Sequence, residues 1–246
     1  MSDVNKIKEY LENIIHDIPN VSLMTHIVGG FPDLDTSTKL LKVMSEVGVE
    51  YTEIQIPFSD PIADGPTILN ANTRALENGT TPSDCFELAQ NFSGKQKLLF
   101  MTYYNIVLSV GVEKFFADSQ KAGIYGVIIP DMPYDMDSHE HLHASAEENN
   151  VQVLPVISPI TPDERLEALA TKNPDIIYCV SQFGTTGKHA EFKELKQYLE
   201  RVKTAFGEDA RLAVGFGIKT PEDVKKVIDS GADTAVIGSA LLNLIS

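Results

Sequence analysis

The sequence predicts an α/β chain of one domain: a closed (β/α)8 barrel with an extra helix before the first strand and a shortened last helix. Three observations carry this. Short apolar, β-rich runs alternate with amphipathic helical patterns from end to end of the 246 residues. Several runs are continuously apolar, as strands buried on both faces of a parallel sheet should be. No linker-like segment divides the chain, and α/β barrels fill about 200–250 residues as one domain.

Residues 3–15 read as an amphipathic helix with Ile7, Leu11 and Ile14 on one side, placed to cover the bottom of the barrel. The eight strands are predicted at 22–28, 51–56, 98–102, 126–129, 151–157, 176–180, 212–214 and 234–237. That count suits a closed barrel better than an open doubly wound sheet. Between the strands the period becomes helical: Leu40, Val43, Met44 and Val47 form one stripe, Val112, Phe115 and Phe116 begin another, and Val224, Val227 and Ile228 form a third. Thr81-Pro82-Ser83-Asp84, Thr161-Pro162-Asp163-Glu164 and Thr220-Pro221-Glu222-Asp223 share one helix-start design. In each, a threonine caps free N–H groups, proline takes the first helical position and an acid follows three residues after the cap. Gly48, Gly123 and Gly231 close helices ahead of the next strand.

Acids outnumber bases 35 to 20, a formal charge of −15, and no Lys/Arg cluster offsets it. Such a chain is repelled by nucleic acid and anionic lipid, so neither is expected as a partner. Cys85, just ahead of a helical pattern, and Cys179, in a strand, belong to no CxxC or ligand-like spacing. They read as reduced thiols of a cytoplasmic protein. The segment MSDVNKIKEYLENII lacks the apolar core of a signal peptide. The longest uncharged stretch, 98–112, falls short of the ~18 apolar residues that a membrane span needs. His139, His141 and His143 invite a metal reading, but a helix over 138–150 puts His141 off the face shared by the other two. A solvated face is the ordinary explanation, and no metal site is expected.

The chemistry concentrates after the second strand. Alternation places residues 51, 53 and 55 on one face and 52, 54 and 56 on the other. With Ile54 and Ile56 against the helices, Glu53 points into the barrel mouth, at the strand end where barrels keep their chemistry. A carboxylate there is costly unless paired, hydrogen-bonded or protonated. The following loop carries Asp60 and Asp64, stiffened by prolines. One reading makes Asp60 and Asp64 turn caps and Glu53 half of a core ion pair. The other makes an acid/base pair, one member rigid on the strand and one on a loop able to close.

The run EIQIPFSDPIADGPTI closely resembles the signature of the tryptophan synthase alpha subunit family. The match continues through MTYYN at 101–105, PDMP at 130–133, TPDERL at 161–166, SQFGTTG at 181–187, GFGI at 215–218 and GSA at 238–240, in order and with fitting spacing. The resemblance implies a TIM-barrel carbon–carbon lyase of tryptophan biosynthesis. It would cleave indole-3-glycerol phosphate to indole and glyceraldehyde 3-phosphate, with no metal or organic cofactor in this chain. Indole would pass to a PLP-containing beta subunit in an alpha2-beta2 complex. By the same resemblance Glu53 is the acid/base, Asp64 hydrogen-bonds the indole N–H, and Tyr178 is an active-site tyrosine. Tyr103 lies near the substrate; for both tyrosines the alternative is a barrel residue with a satisfied hydroxyl. Pro57, Asp60, Pro61 and Asn105 match partner-interface positions.

The phosphate site rests on glycines. Gly215-Phe216-Gly217 follows the seventh predicted strand, and Gly238-Ser239 follows the eighth and opens the last helix, the two loops that often bind phosphate in barrels. Gly217, Gly238 and Ser239 are therefore expected to hold the phosphate, with Phe216 in the pocket. The resemblance adds Gly187 as a third phosphate contact and Thr186 as a loop residue that meets the catalytic aspartate on closure.

Three features depart from the family pattern. Gln55 stands where glycine is usual, on the face of Glu53, where it must contact Glu53 or fill pocket volume. His26-Ile27-Val28-Gly29-Gly30-Phe31 replaces an aromatic and a Thr-x-Gly-Asp arrangement. After residues 240–245 relatives usually continue with a long final helix; without it, the groove between the seventh and first helices of the ring is expected to expose apolar surface. These departures keep a stand-alone indole-releasing lyase and a non-catalytic regulatory subunit in view. The phosphate loops alone also fit a sugar-phosphate isomerase or epimerase, which the PFSDPIADGP loop disfavours.

Overall fold

The computed structural model describes residues 3–92, 94–132, 141–180, 192–215 and 217–245. Its strands are β1 (Ser22–Val28), β2 (Tyr51–Gln55), β3 (Lys97–Met101), β4 (Ile124–Ile128), β5 (Gln152–Leu154), β6 (Val156–Ile157), β7 (Ile176–Val180), β8 (Arg211–Gly215) and β9 (Thr234–Ile237). They pair in the order β5-β4-β3-β2-β1-β9-β8-β7-β6, all parallel. The two ends of that order are consecutive in the chain. β5 and β6 are pieces of the one strand predicted at 151–157, parted at Pro155, which has no N–H for the ladder. The first piece pairs with β4 and the second with β7, while the Pro155 carbonyl accepts from the Tyr178 amide at 2.9 Å. The sheet closes as the predicted (β/α)8 TIM barrel.

Around it run α1 (Asp3–Asp17), α2 (Leu34–Val47), α3 (Pro66–Glu77), α4 (Pro82–Gln90), α5 (Tyr104–Val110), α6 (Val112–Lys121), α7 (Leu142–Glu148), α8 (Asp163–Ala170), α9 (Phe192–Phe206), α10 (Pro221–Asp229) and α11 (Ser239–Leu244). Alternate strand residues sort into two layers. Met24, Tyr51, Leu99, Ile128, Leu154, Ile176 and Val236 fill the barrel. Ile27, Ile54, Phe100, Val127, Ile177 and Val214 pack outward against the helical stripes of Leu40, Met44, Phe115 and Leu199. The inner layer is tight at Gly126, where a Cβ would lie 2.7 Å from Leu154 Cδ1 and 3.0 Å from the Gln152 carbonyl oxygen.

α1 corrects two expectations at once. It does not lie under the barrel, whose floor is a polar network. There, Arg211 pairs with Glu50 at 3.0 Å, Ser22 Oγ donates to Glu50 at 2.7 Å, and Lys97 Nζ sits 4.5 Å from the Tyr125 ring centroid. Instead α1 packs against α2, α10 and the short α11, with Ile7, Leu11 and Ile14 fully buried. The groove expected to stand open between the seventh and first ring helices, here α10 and α2, is thus occupied. The reason is the hydrophobic effect: burying each of these side chains is worth about 1.5–3 kcal/mol, and the unfilled apolar face of the ring offers more of it than the polar floor does.

Two of the three helix starts form full capping boxes, Thr81 with Asp84 and Thr220 with Asp223. Thr161 does not cap: α8 starts later, at Asp163, and Thr161 Oγ1 accepts from the Ser158 amide at 3.0 Å, closing a turn. Cys85 lies inside α4 rather than ahead of it. The helix predicted over 138–150 is observed from Leu142 to Glu148; His139 lies outside the described residues. Among the described residues no helix is long and apolar enough to cross a membrane.

Candidate active site

β2 carries the site because its parity is fixed by packing. Tyr51 belongs to the barrel interior and Ile54 and Ile56 to the outer layer, so Glu53 and Gln55 turn inward as the alternation predicts. Both are fully buried. The parallel register sets His26 of β1 beside Glu53 and Val28 beside Gln55. His26 Nδ1 and Glu53 Oε2 lie 2.7 Å apart. Glu53 Oε1, His26 Nε2 and Gln55 Oε1 are buried without a hydrogen-bond partner among the described residues. Buried polar atoms are nearly always paired, so three such atoms in one barrel mouth mark a place built to be completed by a ligand.

Tyr178, on β7, faces the same carboxyl. Burial pushes its phenol well above the usual range, and the negative charge of nearby Glu53 pushes it further, so the hydroxyl stays protonated. The loop after β2 brings Asp64 back over the barrel mouth. Gln55 Nε2 donates to Asp64 Oδ2 at 2.6 Å. Burial raises the Asp64 carboxyl above its ordinary value; the Gln55 hydrogen bond, the His26 charge and Tyr103 pull the other way without cancelling it. Besides occupying the mouth, as the sequence suggested, Gln55 holds Asp64, because the returning loop places that carboxylate within reach of the amide.

Tyr103 supports this loop. Its hydroxyl accepts from the Ala63 amide at 3.1 Å, and its ring stacks on Phe58 at 5.0 Å between centroids. Asn72 anchors the loop's other end, accepting from the Phe58 amide at 3.0 Å. Neither aspartate caps the helix that follows: α3 starts at Pro66 behind the N-cap Gly65, with no side-chain cap, and Asp60 Oδ2 accepts from Ser59. Glu53 is paired, as the ion-pair reading required, while its other oxygen has no partner among the described residues.

On the neighbouring rim, beyond β1, Gly217 takes a left-handed φ of +61°, a conformation that favours glycine. Gly238 and Ser239 open α11. A Cβ at Gly238 would stand 3.4 Å from His26 Cβ, so this rim lies directly against the histidine. Phe216, Thr186 and Gly187 lie outside the described residues. Of the expected interface positions, Asp60 and Asn105 are exposed, whereas Pro57 and Pro61 are buried.

The family model described as the tryptophan synthase alpha chain matches residues 17–246. The chain belongs to that family. It is 41% identical over 229 residues to the tryptophan synthase alpha chain of Desulfotalea psychrophila, covering 92% of this chain and 88% of that one. It superposes on the tryptophan synthase subunit alpha of Campylobacter jejuni with a TM-score of 0.79 at 29% identity, over 92% of this chain and 90% of the other. A chain of the tryptophan synthase complex of Pyrococcus furiosus gives 0.80 at 31% identity, over 90% and 88%. Family membership ties the protein to tryptophan biosynthesis.

Within this tryptophan synthase alpha barrel, sequence reasoning missed the role of His26, which it met only as a departure after the first strand. A signal was present: His26 has the parity of the inward Met24, and a histidine on an inward position needs a partner. The Gln55–Asp64 bond was likewise missed, although both residues were singled out.

Proposed function

We propose that this chain is a carbon–carbon lyase that cleaves indole-3-glycerol phosphate to indole and glyceraldehyde 3-phosphate, as the alpha subunit of an alpha2-beta2 complex in the cytoplasm. The observation that carries this reading is Glu53: a fully buried carboxyl at the C-terminal end of a barrel strand, held by one oxygen and without a partner for the other among the described residues. Protonation of indole C3 by Glu53 Oε1 turns the ring into an electron sink. The bond from C3 to the glycerol carbon then breaks, its electron pair returns to the ring, and the glycerol hydroxyl gives its proton back to the carboxylate as the aldehyde forms.

Asp64 accepts the indole N–H and stabilises the positive charge that grows on the ring, an electrostatic role that needs the aspartate ionised and fixed in place. Tyr178 supplies a protonated hydroxyl beside the reacting carboxyl. Backbone N–H groups at Gly217, Gly238 and Ser239, with Gly187, hold the phosphate. The protonated indole is its own electron sink, so the chemistry calls for no metal or organic cofactor in this chain; PLP belongs to the beta subunit that receives the indole. Support for that partner comes from the complex to which a superposing chain belongs, and from Asp60, Asn105 and the 82% exposed Ile62 beside the mouth.

The experiment is indole release from indole-3-glycerol phosphate by wild type and Glu53→Gln, each with and without a beta subunit. Release by wild type that is raised by the partner and abolished by the substitution supports the reading. Equal release with and without the partner makes the chain a stand-alone lyase. No release in either condition ends the catalytic reading.

A further inference from the structure

We propose that His26 is the positioning residue of the acid/base: it pins one oxygen of Glu53, leaves the other to the substrate and stabilises the carboxylate that forms when Glu53 gives up its proton. The inference rests on the lyase reading and goes beyond it by adding a residue to the machinery. The geometry is a 2.7 Å contact between Nδ1 and Oε2 across the β1–β2 register, with His26 only 5% exposed and Glu53 fully buried. With Oε2 held, Oε1, which has no partner among the described residues, is the atom left to exchange protons. Gly238 closes the other side of the imidazole, since a Cβ there would come 3.4 Å from His26 Cβ and 3.8 Å from Cδ2; the ring is seated between the acid/base and the rim assigned to phosphate.

The step balances with His26 as a bystander to proton number. Oε1–H protonates C3, the carbon–carbon bond breaks, and the hydroxyl proton returns to Oε1. Nδ1–H stays on the imidazole throughout, and between the two transfers a full negative charge on Glu53 faces it in a site shut from water. A donor fixed before the reaction stabilises such a charge without reorganising.

The groups facing the imidazole are few. β2 contributes Glu53, the following loop Asp64, and β7 the phenol of Tyr178 next to Glu53. β9 and α11 contain no ionisable side chain. Burial acts to lower the His26 pKa, but the hydrogen bond and charge of Glu53, with Asp64 and Gln55, outweigh it and raise it above the ordinary value. His26 therefore keeps its positive charge to higher pH than an ordinary histidine and loses it as the pH rises through that raised value.

Two measurements on the full chain with its beta subunit test this. Indole release by His26→Phe is expected to lose about 100-fold in kcat, the scale of one preorganised donor, with KM within about threefold. His26→Gln keeps an N–H for Oε2 without a charge; it should recover part of kcat and lose the alkaline fall in rate that wild type shows. A Gln variant with the wild-type pH profile, or a loss confined to KM, overturns the proposal. Histidine-ring NMR on the substrate-free protein is the second measurement. The signal missing from His26→Gln should titrate above those of the other histidines and move down in Glu53→Gln. Titration alongside the others overturns the positioning role whatever the activity. If wild type releases no indole although His26 titrates high, the lyase reading fails and the role falls with it.

Discussion

Gln55 and Asp64, nine positions apart in the chain, are joined by a 2.6 Å hydrogen bond from the amide Nε2 to the carboxylate Oδ2. This one contact ties the rigid strand of the barrel to the loop that folds over it. It also takes up one oxygen of the carboxylate proposed to meet the indole nitrogen, while the Gln55 carbonyl oxygen has no partner among the described residues. Gln55→Gly should therefore lower kcat/KM by about ten- to a hundredfold, the worth of one hydrogen bond to a charged group, ~1.5–3 kcal/mol. Steady-state kinetics decide the point. A change in KM alone means that the amide only fills space.

Asp64 bears a cost for its position. Burial raises its carboxyl pKa, against the pull of Gln55, His26 and Tyr103. A carboxyl raised in the folded state contributes stability below its unfolded pKa and loses it as the pH rises through the folded value. With the pH above the unfolded carboxyl pKa, Asp64 is thus a net burden, so Asp64→Asn, which can still accept from Gln55, should raise Tm at pH 7 while cutting indole release. The gain should shrink toward pH 4. Calorimetry of both proteins across that range checks it; a lower Tm for the variant at pH 7 contradicts it.

How far the sequence showed this site depends on the range of each interaction. The inward turn of Glu53 was legible because side-chain parity is local and Ile54 and Ile56 declare the other face. The capping boxes at Thr81 and Thr220 were legible for the same reason. His26 and Glu53 meet only through the pairing of two strands, and nothing near either residue states that register. Gln55 reaches Asp64 only along the path of the returning loop, which is set by the buried Pro57 and Pro61, by Asn72 and by the hydroxyl of Tyr103. For α1, the stripe of Ile7, Leu11 and Ile14 announced that the helix covers something; which surface it covers is decided by what the rest of the ring leaves bare. Pro155 could have warned of a divided strand, since proline cannot supply a ladder N–H.

The two cysteines should be silent in the folded protein. Cys85 and Cys179 are both fully buried, and burial pushes each thiol up to about 12. The thiolate is the reactive form, so neither access nor ionisation favours attack. A disulfide reagent at pH 8 is expected to label neither in the native chain and both in denaturant. Rapid labelling of the native protein at either position would refute this.

The seating of α1 makes the last prediction. Leu11 is the middle of its buried stripe, fully enclosed where α1 meets α2, α10 and α11. Leu11→Ala removes that side chain and leaves a cavity the surrounding helices fill only in part, at a cost of about 2–5 kcal/mol. The acid/base residues His26, Glu53, Gln55, Asp64 and Tyr178 lie on β1, β2, β7 and the loop after β2, rather than on α1. The denaturation midpoint should therefore fall sharply while indole release by the folded variant at low temperature stays near that of wild type. Were α1 instead only resting on the barrel floor, the substitution would change the midpoint by less than about 1 kcal/mol, the range of exposed sites.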